Sequence, residues 1–209
     1  MRGFIYSGGK ICAQAITDSP KGDDIVVAAD SGYENAKLLG VKPNFIVGDF
    51  DSYSKSKLPK DAELVEVPAK KDFSDTQLAV DVALSHGANE IVIIGGLGGR
   101  LDHTLSNLGI LRKLSSLKIR AIACDGYNRI RHIKSTSELI IRSDYKYFSV
   151  IADDDKARGV SIEGAKYPLK NAILKRENQY AISNEIEKNC ALVSVKRGGV
   201  FIVESRDAE

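Results

Sequence analysis

Two aspartates spaced by one residue follow a short apolar run in the segment GDFDS, residues 48–52. Along an extended backbone alternate side chains point the same way, so Asp49 and Asp51 share one side. Two carboxylates held this close resist joint ionisation, and a divalent cation removes that penalty. Their oxygen atoms suit a hard ion such as Mg²⁺, which proteins often bind through few carboxylates together with substrate phosphates. An acidic pair in a loop is more commonly a solvated turn or a helix cap, so this segment alone leaves the metal site open.

Further carboxylates follow neighbouring predicted strands. Asp30 comes after the run IVVAA, and Asp72 and Asp75 come shortly after the run LVEV. Ligands of an α/β sheet bind beyond the carboxyl ends of its strands, so we expect these side chains to converge with Asp49 and Asp51. Asp75 also begins a predicted helix, where a carboxylate is favourable for the helix dipole alone. The convergence of all five carboxylates favours a metal site at one edge of the sheet.

The segment GGLGGRLDH, residues 95–103, follows another predicted strand and has the composition of an anion site. Glycines between a strand and a helix, here Gly96, Gly98 and Gly99, let the backbone approach phosphate closely and present N–H groups to it. Arg100 adds a side chain that is suited to a bidentate phosphate contact. The pattern matches neither of the two standard phosphate-loop patterns, and a glycine-rich turn is sometimes only tight.

The roles of several nearby residues stay open at the level of sequence. Asp102 could cap the helix, bridge to Arg100 or act as a base for a substrate hydroxyl, and the sequence does not rank these roles. His103 is as consistent with packing as with chemistry. Gly8 and Gly9 follow the first predicted strand and are candidates for a second phosphate contact.

The first 126 residues alternate short apolar runs with longer segments of helical pattern. The runs lie at 4–6, 25–29, 45–47, 64–67, 91–94 and 119–123. Several are apolar at successive positions, which is typical of strands covered on both faces and predicts a parallel sheet with helices on either side. We therefore predict an open, Rossmann-like α/β domain over residues 1–126.

Two helices of this domain have clear signals. Ser74 and Gln77 have capping-box spacing and Gly87 is a good C-terminal stop, so a helix is expected over 74–87. A second helix follows the glycine-rich segment. Its leucines are expected to form one apolar stripe, at Leu101, Leu105, Leu108 and Leu111.

The pattern changes after about residue 128, where β-forming residues come in short stretches and no long helical stripe is evident. The segment 191–204 is expected to form a hairpin whose turn contains Gly198 and Gly199. We predict a small antiparallel β domain, a β-sandwich, over residues 127–209. The sequence has no low-complexity linker between the halves and no internal repeat, so we expect the two halves to pack tightly.

Composition narrows the class of partner. The chain has 209 residues with 30 basic and 28 acidic side chains, and its net charge of +2 gives no reason to expect a nucleic acid or another polyanion. No apolar run approaches the roughly 18 residues of a membrane span, and the N-terminal apolar stretch is too short for a signal peptide. The cysteines are odd in number and far apart, so we expect buried, reduced thiols in a cytoplasmic protein.

A phosphate site, a hard metal ion and an arginine without a good nucleophile favour a transfer reaction governed by positioning and charge neutralisation. No serine, histidine and aspartate arrangement and no reactive cysteine competes convincingly. From the residues alone we infer a metal-dependent nucleotide transferase that moves a phosphoryl or pyrophosphoryl group.

The chain resembles the thiamine pyrophosphokinase family in the order and spacing of four segments: AADSG at 28–32, GDFDS at 48–52, KDFSDTQLA at 71–79 and GGLGGRLDH at 95–103. The short segment SNE at 183–185 resembles the family as well. The resemblance implies an α/β nucleotide-binding domain followed by a thiamine-binding β-sandwich, in a homodimer with active sites at the subunit interface. It implies transfer of the pyrophosphoryl group of ATP to the hydroxyl of thiamine, with Mg²⁺, to give thiamine diphosphate and AMP.

The resemblance also implies roles for particular residues. Asp49, Asp51 and Asp75 look like metal ligands, with Asp30 and Asp72 close to the metal and phosphates and Asp72 counted with the catalytic residues. Eight residues are expected to bind ATP: Gly8, Gly9, Asp30, Ser31, Gly96, Gly98, Gly99 and Arg100. Arg100 would stabilise charge on the transferred group, Asp102 would orient or deprotonate the thiamine hydroxyl, and Ser183 and Asn184 would line the thiamine pocket across the dimer.

One departure concerns the thiamine pocket. Many family members carry a tryptophan in the segment that corresponds to SIEGAKYPL, whereas this chain has no tryptophan. Tyr167 occupies the comparable place and is also consistent with a core aromatic.

Three alternatives stay open from the sequence. The first is a pyrophosphokinase for another alcohol, such as a hydroxymethylpterin, on the same scaffold. The second is a non-catalytic nucleotide or thiamine sensor, and the third is a nucleotide hydrolase that uses water as the acceptor.

Overall fold

The computed structural model describes residues 1–49, 59, 61–66 and 72–207. The chain divides into two compact units, one of residues 1–110 and 118–126 and the other of residues 111–117 and 127–209. Its architecture is mixed α/β, with a parallel sheet in the first unit and antiparallel strands in the second.

Among the residues that the structure describes, the first unit contains six strands, one for each apolar run found in the sequence. They are β1 (Arg2–Tyr6), β2 (Ile25–Ala29), β3 (Phe45–Gly48), β4 (Glu63–Glu66), β5 (Glu90–Ile94) and β6 (Arg120–Cys124). They lie side by side in the order β4-β3-β2-β1-β5-β6, and every neighbouring pair is parallel. The parallel sheet predicted for this half is confirmed. The strand order reverses direction between β1 and β5, and ligands of open α/β sheets bind at such a reversal point.

The described residues contain three α-helices, α1 (Gly32–Leu38), α2 (Asp75–Ser85) and α3 (Leu101–Ser116), with a 3-10 helix at Ala13–Ala15. Helices α1 and α2 pack against strands of the parallel sheet. The helix predicted over 74–87 is confirmed, with Ser74 as its N-cap and its last helical residue at Ser85. The Ser74 hydroxyl accepts a hydrogen bond from the Gln77 backbone N–H at 3.2 Å, and Gly87 ends the helix with a φ of 93°. The first turn of α2 is therefore fixed by a local cap.

The leucine stripe predicted for α3 is wrong at its N-terminal end. Leu101 is 69% exposed and Leu105 is 59% exposed. The buried face of α3 instead comprises residues spaced by three, one and three positions: Asn107, Ile110, Leu111 and Leu114. This spacing follows the period of 3.6 residues per turn, whereas the four leucines drift around the helix by about 120° between Leu105 and Leu111.

In the part of the second unit that the structure describes, which ends at residue 207, there are seven strands. They are β7 (Asn128–Lys134), β8 (Ser137–Ile141), β9 (Tyr147–Ala152), β10 (Lys156–Glu163), β11 (Leu169–Lys175), β12 (Cys190–Ser194) and β13 (Gly199–Ser205). One antiparallel group has the order β7-β13-β9 and the other has the order β11-β10-β12-β8. Both groups contribute buried side chains to one apolar cluster, for example Val150 and Val200 from the first and Val160 and Val193 from the second.

The hairpin predicted at 191–204 is wrong. Strand β12 pairs with β10 and β8, whereas β13 pairs with β7 and β9, so the two strands belong to different groups. Gly198 between them has a φ of 100°. A glycine with positive φ suits a tight hairpin and a corner between sheets equally well, and the local pattern does not separate the two.

Two further expectations concern cysteines and membranes. All three cysteines are free, as expected, but only Cys124 is buried, Cys12 is half-buried and Cys190 is exposed. Cys190 is exposed because it is the first residue of β12 and its side chain lies on the face away from the apolar cluster. It pairs there with Ile141 of β8. Within the described part of the chain, no helix combines the length and apolar character needed to cross a bilayer.

Candidate active site

The loops that follow β1 and β5 come together at the reversal point of the sheet. The Ser7 backbone N–H donates to the Ile94 carbonyl at 2.8 Å, and the Gly9 N–H donates to the Gly95 carbonyl at 3.0 Å. A Cβ atom on Gly9 would lie 2.3 Å from the Gly95 carbonyl oxygen and 2.5 Å from that of Gly98. Any side chain at position 9 would force the two loops apart, so the close approach of the loops requires this glycine.

A cavity of about 510 Å³ opens above these loops, at the carboxyl ends of the strands. Its wall includes all eight residues predicted to bind ATP: Gly8, Gly9, Asp30, Ser31, Gly96, Gly98, Gly99 and Arg100. Ligands of open α/β sheets bind at this kind of reversal point. The structure thus brings the eight residues together, and their contact with ATP stays a prediction.

Asp30 occupies an unusual backbone conformation on this wall. Its φ of 47° lies in the left-handed region, which a residue other than glycine seldom adopts. Hydrogen bonds hold it there, because its N–H donates to the Val47 carbonyl at 2.7 Å and its carbonyl accepts from the Tyr33 N–H at 3.2 Å. No residue that the structure describes hydrogen-bonds or pairs with its carboxylate. Strain of this kind at a cavity wall, with an available carboxylate, is typical of a ligand site.

The three predicted metal ligands, Asp49, Asp51 and Asp75, and Asp72, which is predicted to lie near them, do not all lie on the cavity wall. Asp75 lies in the first turn of α2 and on the cavity wall. Asp49 directly follows β3 and Asp72 is exposed, and neither is among the described residues that line the cavity. Asp51 lies outside the described residues. In the described part of the chain, no three acidic, histidine or cysteine side chains are grouped closely enough to hold a metal ion. The metal site of Asp49, Asp51 and Asp75 therefore stays a prediction.

Arg100 and Asp102 form a two-point ion pair. Arg100 Nε donates to Asp102 Oδ1 at 3.1 Å, and Arg100 Nη2 donates to Asp102 Oδ2 at 2.5 Å. Of the three roles left open for Asp102, the structure shows the bridge to Arg100. The hydrogen bonds from Arg100 lower the pKa of Asp102 to about 2. The same pair raises the pKa of Arg100 above its ordinary value. While the pair is formed, the Asp102 carboxylate is ionised but weakly basic.

Sequence reasoning missed several residues of the cavity wall, among them Ser7, Lys10, Thr76 and Asn107. The Ser7 and Thr76 hydroxyl oxygens are 3.0 Å apart and share a hydrogen bond that joins the first loop to α2. His103, which the sequence left open between packing and chemistry, is exposed and lies on the wall.

A signal for two of these residues was present in the sequence. His103 and Asn107 are four residues apart on α3, so they share the face that begins with Arg100. A helix that starts at a phosphate-binding turn presents this face to the ligand. The positions i+3 and i+7 from Arg100, which are His103 and Asn107, were therefore candidates for the cavity wall.

The predicted thiamine residues lie in the second unit, between β11 and β12. Ser183 is exposed, has a φ of 55° and donates its N–H to the Ser149 hydroxyl at 3.1 Å. Asn184 is only 3% exposed, and its side chain accepts from the Tyr167 N–H at 3.0 Å and donates to the Tyr167 carbonyl at 2.8 Å. Asn184 therefore fixes the backbone of Tyr167. Tyr167 itself is 59% exposed and is not a core aromatic. The contacts of Ser183 and Asn184 with thiamine stay predictions.

Comparison with known proteins decides the family. The family model described as "Thiamin pyrophosphokinase, catalytic domain" matches residues 18–123, and the one described as "Thiamin pyrophosphokinase, vitamin B1 binding domain" matches residues 133–200. Thiamine pyrophosphokinase from Bacillus subtilis is 31% identical over 188 residues, which are 87% of each chain. The chain belongs to the thiamine pyrophosphokinase family. The resemblance found in the sequence motifs is confirmed.

Solved structures of thiamine pyrophosphokinases agree with this membership. The crystal structure of the Bacillus subtilis thiamine pyrophosphokinase is similar with a TM-score of 0.89 and 26% identity, and it covers 100% of both chains. That of the Geobacillus thermodenitrificans protein gives a TM-score of 0.86 and 27% identity, over 100% of this chain and 99% of the other. The fold of this chain is therefore that of the thiamine pyrophosphokinase family along its length.

Proposed function

We propose that this chain is a Mg²⁺-dependent enzyme that transfers the pyrophosphoryl group of ATP to the hydroxyl of thiamine, giving thiamine diphosphate and AMP. The observation that carries the proposal is the cavity at the reversal point of the sheet. There, two glycine turns, an arginine and an available carboxylate meet in a member of the thiamine pyrophosphokinase family. These are the groups that a polyphosphate with a bound metal ion requires.

The nucleotide phosphates lie against the glycine turns in this proposal. Both turns approach without side chains, and phosphate oxygens accept hydrogen bonds from backbone N–H groups. Ser31 precedes α1 and lies on the same wall, where its hydroxyl is available to the nucleotide. Arg100 adds positive charge beside the transferred group and so stabilises the negative charge that is spread over its oxygens in the transition state, while the electrons of the broken bond go to AMP.

The carboxylates fit a magnesium ion by their chemistry. Asp30 and Asp75 contribute oxygen donors from two sides of the cavity wall, and Asp49 follows the strand next to Asp30. With Asp51, these residues would hold the ion, and Asp72 would lie near it. A bound Mg²⁺ would neutralise charge on the phosphate oxygens and so lessen the repulsion felt by the incoming hydroxyl oxygen.

Arg100 and Asp102 act in sequence in this mechanism. A phosphate on the cavity wall competes with Asp102 for the Arg100 guanidinium, which is 74% exposed and therefore free to turn. Once Arg100 binds phosphate, Asp102 loses the two hydrogen bonds that lower its pKa. Its basicity then returns towards that of an ordinary carboxylate, with a pKa of about 4. Asp102 is then able to orient the thiamine hydroxyl or accept its proton.

The rest of the assignment follows the family. Residues 1–126 form the Rossmann-like nucleotide domain and residues 127–209 form the β-sandwich that binds thiamine through Ser183 and Asn184. The shared apolar cluster of the two antiparallel strand groups supports the sandwich. The proposal includes a cytoplasmic homodimer with active sites at the subunit interface.

The deciding experiment measures AMP and thiamine diphosphate together. Purified protein is incubated with ATP and Mg²⁺, with and without thiamine, and the products are separated by chromatography. We expect AMP to form only with thiamine and to match thiamine diphosphate in amount. AMP without thiamine would indicate a hydrolase. No AMP under either condition would overturn the proposed thiamine reaction. The remaining candidates would then be a pyrophosphokinase for a different alcohol and a non-catalytic sensor.

A further inference from the structure

The two glycine turns of the cavity, residues 7–9 and 95–99, contain carbonyl groups as well as N–H groups. A carbonyl oxygen that faces phosphate repels it, so a phosphate-binding turn must direct its carbonyls elsewhere. Glycine by itself does not ensure this, because its backbone is the most permissive of all residues. Something outside the turns has to fix the direction of these carbonyls.

Asn35 on α1 holds the carbonyls of the first turn. Its side-chain Nδ2 donates to the Ser7 carbonyl at 2.6 Å and to the Gly9 carbonyl at 2.8 Å. The same nitrogen would lie 2.7 Å from a Cβ atom on Gly95, so the amide is packed between both turns. One side chain thus sets the orientation of two peptide groups and also contacts the neighbouring turn.

Asn107 on α3 does the same for the second turn. Its side-chain Nδ2 donates to the Gly96 carbonyl at 2.8 Å, and the residue is only 5% exposed. It also lies on the cavity wall. Asn35 and Asn107 therefore come from different helices and hold three carbonyl groups of the two turns.

The N–H groups of the turns are left available. Among the residues that the structure describes, none accepts a hydrogen bond from the N–H of Gly8, Lys10, Gly98 or Gly99. These four residues line the cavity. The asparagines thus hold carbonyl groups of the turns, whereas no described residue accepts from these four N–H groups. An anion site needs this arrangement, with its carbonyls held away and its N–H donors available.

We propose that Asn35 and Asn107 are positioning residues for the polyphosphate of the nucleotide, because their side-chain amides fix the carbonyls of the two glycine turns and leave the turns' N–H groups to the phosphates. The inference rests on the function proposed above. Neither asparagine needs to touch the nucleotide: Asn35 acts through Ser7 and Gly9, and Asn107 acts through Gly96.

The test compares Asn35→Ala with a matched control, Asn44→Ala. Asn44 also binds a backbone group of the same sheet, since its Oδ1 accepts from the Val26 N–H at 2.7 Å. It lies at the beginning of β3, at the end of the sheet opposite to the cavity. Both variants lose an asparagine that hydrogen-bonds to a backbone group, but only Asn35 bonds to the glycine turns. The full-length protein is used throughout, with ATP and Mg²⁺ as the probe in calorimetry and in steady-state kinetics.

We expect Asn35→Ala to raise the Kd and the KM for ATP by about tenfold or more, because two hydrogen bonds that direct the turn are lost. The KM for thiamine should stay within about twofold of wild type. Asn44→Ala should lower the Tm without changing the Kd for ATP. Asn35→Asp keeps the size of the side chain but removes the N–H donors, so it should weaken ATP binding at least as much as Asn35→Ala.

An unchanged Kd for ATP in folded Asn35→Ala or Asn35→Asp would overturn the inference and leave the proposed function standing. An equal loss of ATP affinity in Asn44→Ala would also overturn it, because the effect would then be general destabilisation. If the wild-type protein itself bound no ATP, the proposed function would fail and this inference with it. If Asn35→Ala did not fold, the isosteric Asn35→Asp and the second site, Asn107→Ala, would decide by the same measurements.

Discussion

Arg100 and Asp102 are paired through two hydrogen bonds at the beginning of α3, and Arg100 lies on the wall of the cavity while Asp102 does not. The pair places a group suited to phosphate beside a group suited to a hydroxyl proton. In the mechanism proposed above, one arginine cannot hold both partners fully, so phosphate binding would release Asp102 by competition. This coupling makes the two residues distinguishable by mutation.

Asp102→Asn should lower kcat by about 100-fold or more without raising the Kd for ATP, which should fall somewhat because phosphate then meets a weaker competitor for Arg100. The amide cannot accept the hydroxyl proton of the acceptor, and general-base groups contribute about 10²- to 10⁴-fold to rate. Steady-state kinetics and calorimetry with ATP measure the two quantities. A large rise in the Kd for ATP with unchanged kcat would place Asp102 with the nucleotide instead.

Arg100→Ala should lower kcat/KM for ATP by about 10²- to 10³-fold, the range found when one donor to a developing charge is removed. The loss should not come from Asp102, because removing its hydrogen bonds raises its pKa from about 2 only towards about 4, so it stays ionised at neutral pH. Arg158→Ala, at an exposed arginine of the second unit, is the control. Equal activity of the two variants would remove Arg100 from the reaction.

Asp30→Gly should stabilise the protein and abolish its activity. Glycine relieves the left-handed conformation at φ 47°, which costs an ordinary side chain about 1 kcal/mol. The lost carboxylate is one that the proposed metal and phosphate site would use. Thermal unfolding and AMP release measure the two effects.

Asp30→Ala is the matched variant, since it loses the carboxylate but keeps a Cβ atom. It should be as inactive as Asp30→Gly and less stable. Normal turnover in either variant, with normal folding, would show that the strained carboxylate has no part in the reaction.

Stability should fall in mild acid because of His132 in the second unit. Its side chain is 1% exposed, and Nε2 lies 3.2 Å from Asp153 Oδ2 without hydrogen-bond geometry. Burial is the main cause that lowers the pKa of His132, and Arg112 adds to it, while Asp153 and Asp154 oppose it. The folded protein therefore binds this proton less readily than the unfolded chain, so the stabilisation is complete above a pH of about 6.5 and is lost progressively below it.

The Tm measured from pH 8 to pH 5 checks this prediction, with His132→Phe as the test variant and His86→Asn, at an exposed histidine, as the control. The decline in Tm below pH 6.5 should be smaller in His132→Phe than in wild type. The control should follow the wild-type curve. A curve for His132→Phe that parallels wild type would assign the acid sensitivity to other groups.

The elements that local pattern defines were predictable. The six apolar runs became the six parallel strands, and the cap at Ser74 with the stop at Gly87 set the bounds of α2. The eight candidate ATP residues came together because the carboxyl ends of parallel strands share one edge, which the sequence already implied. The error in α3 arose because the spacing of its leucines departs from the helical period, and the error at 191–204 arose because the glycines between β12 and β13 suit both a hairpin and a corner between sheets.

The sequence by itself determined which residues form strands, which edge of the sheet carries the acids and glycines, and, through its motifs, the family. These are consequences of local periodicity, steric preference and charge, and each depends on residues close together in the chain. Only the tertiary structure decided that β1 lies beside β5, that Asn35 and Asn107 hold the carbonyls of the two turns, and that Arg100 is paired with Asp102. The first two join residues far apart in the chain, and the third selects one of several local partners. Such choices are made by packing and by the hydrogen bonds that buried groups must find, which no local pattern specifies.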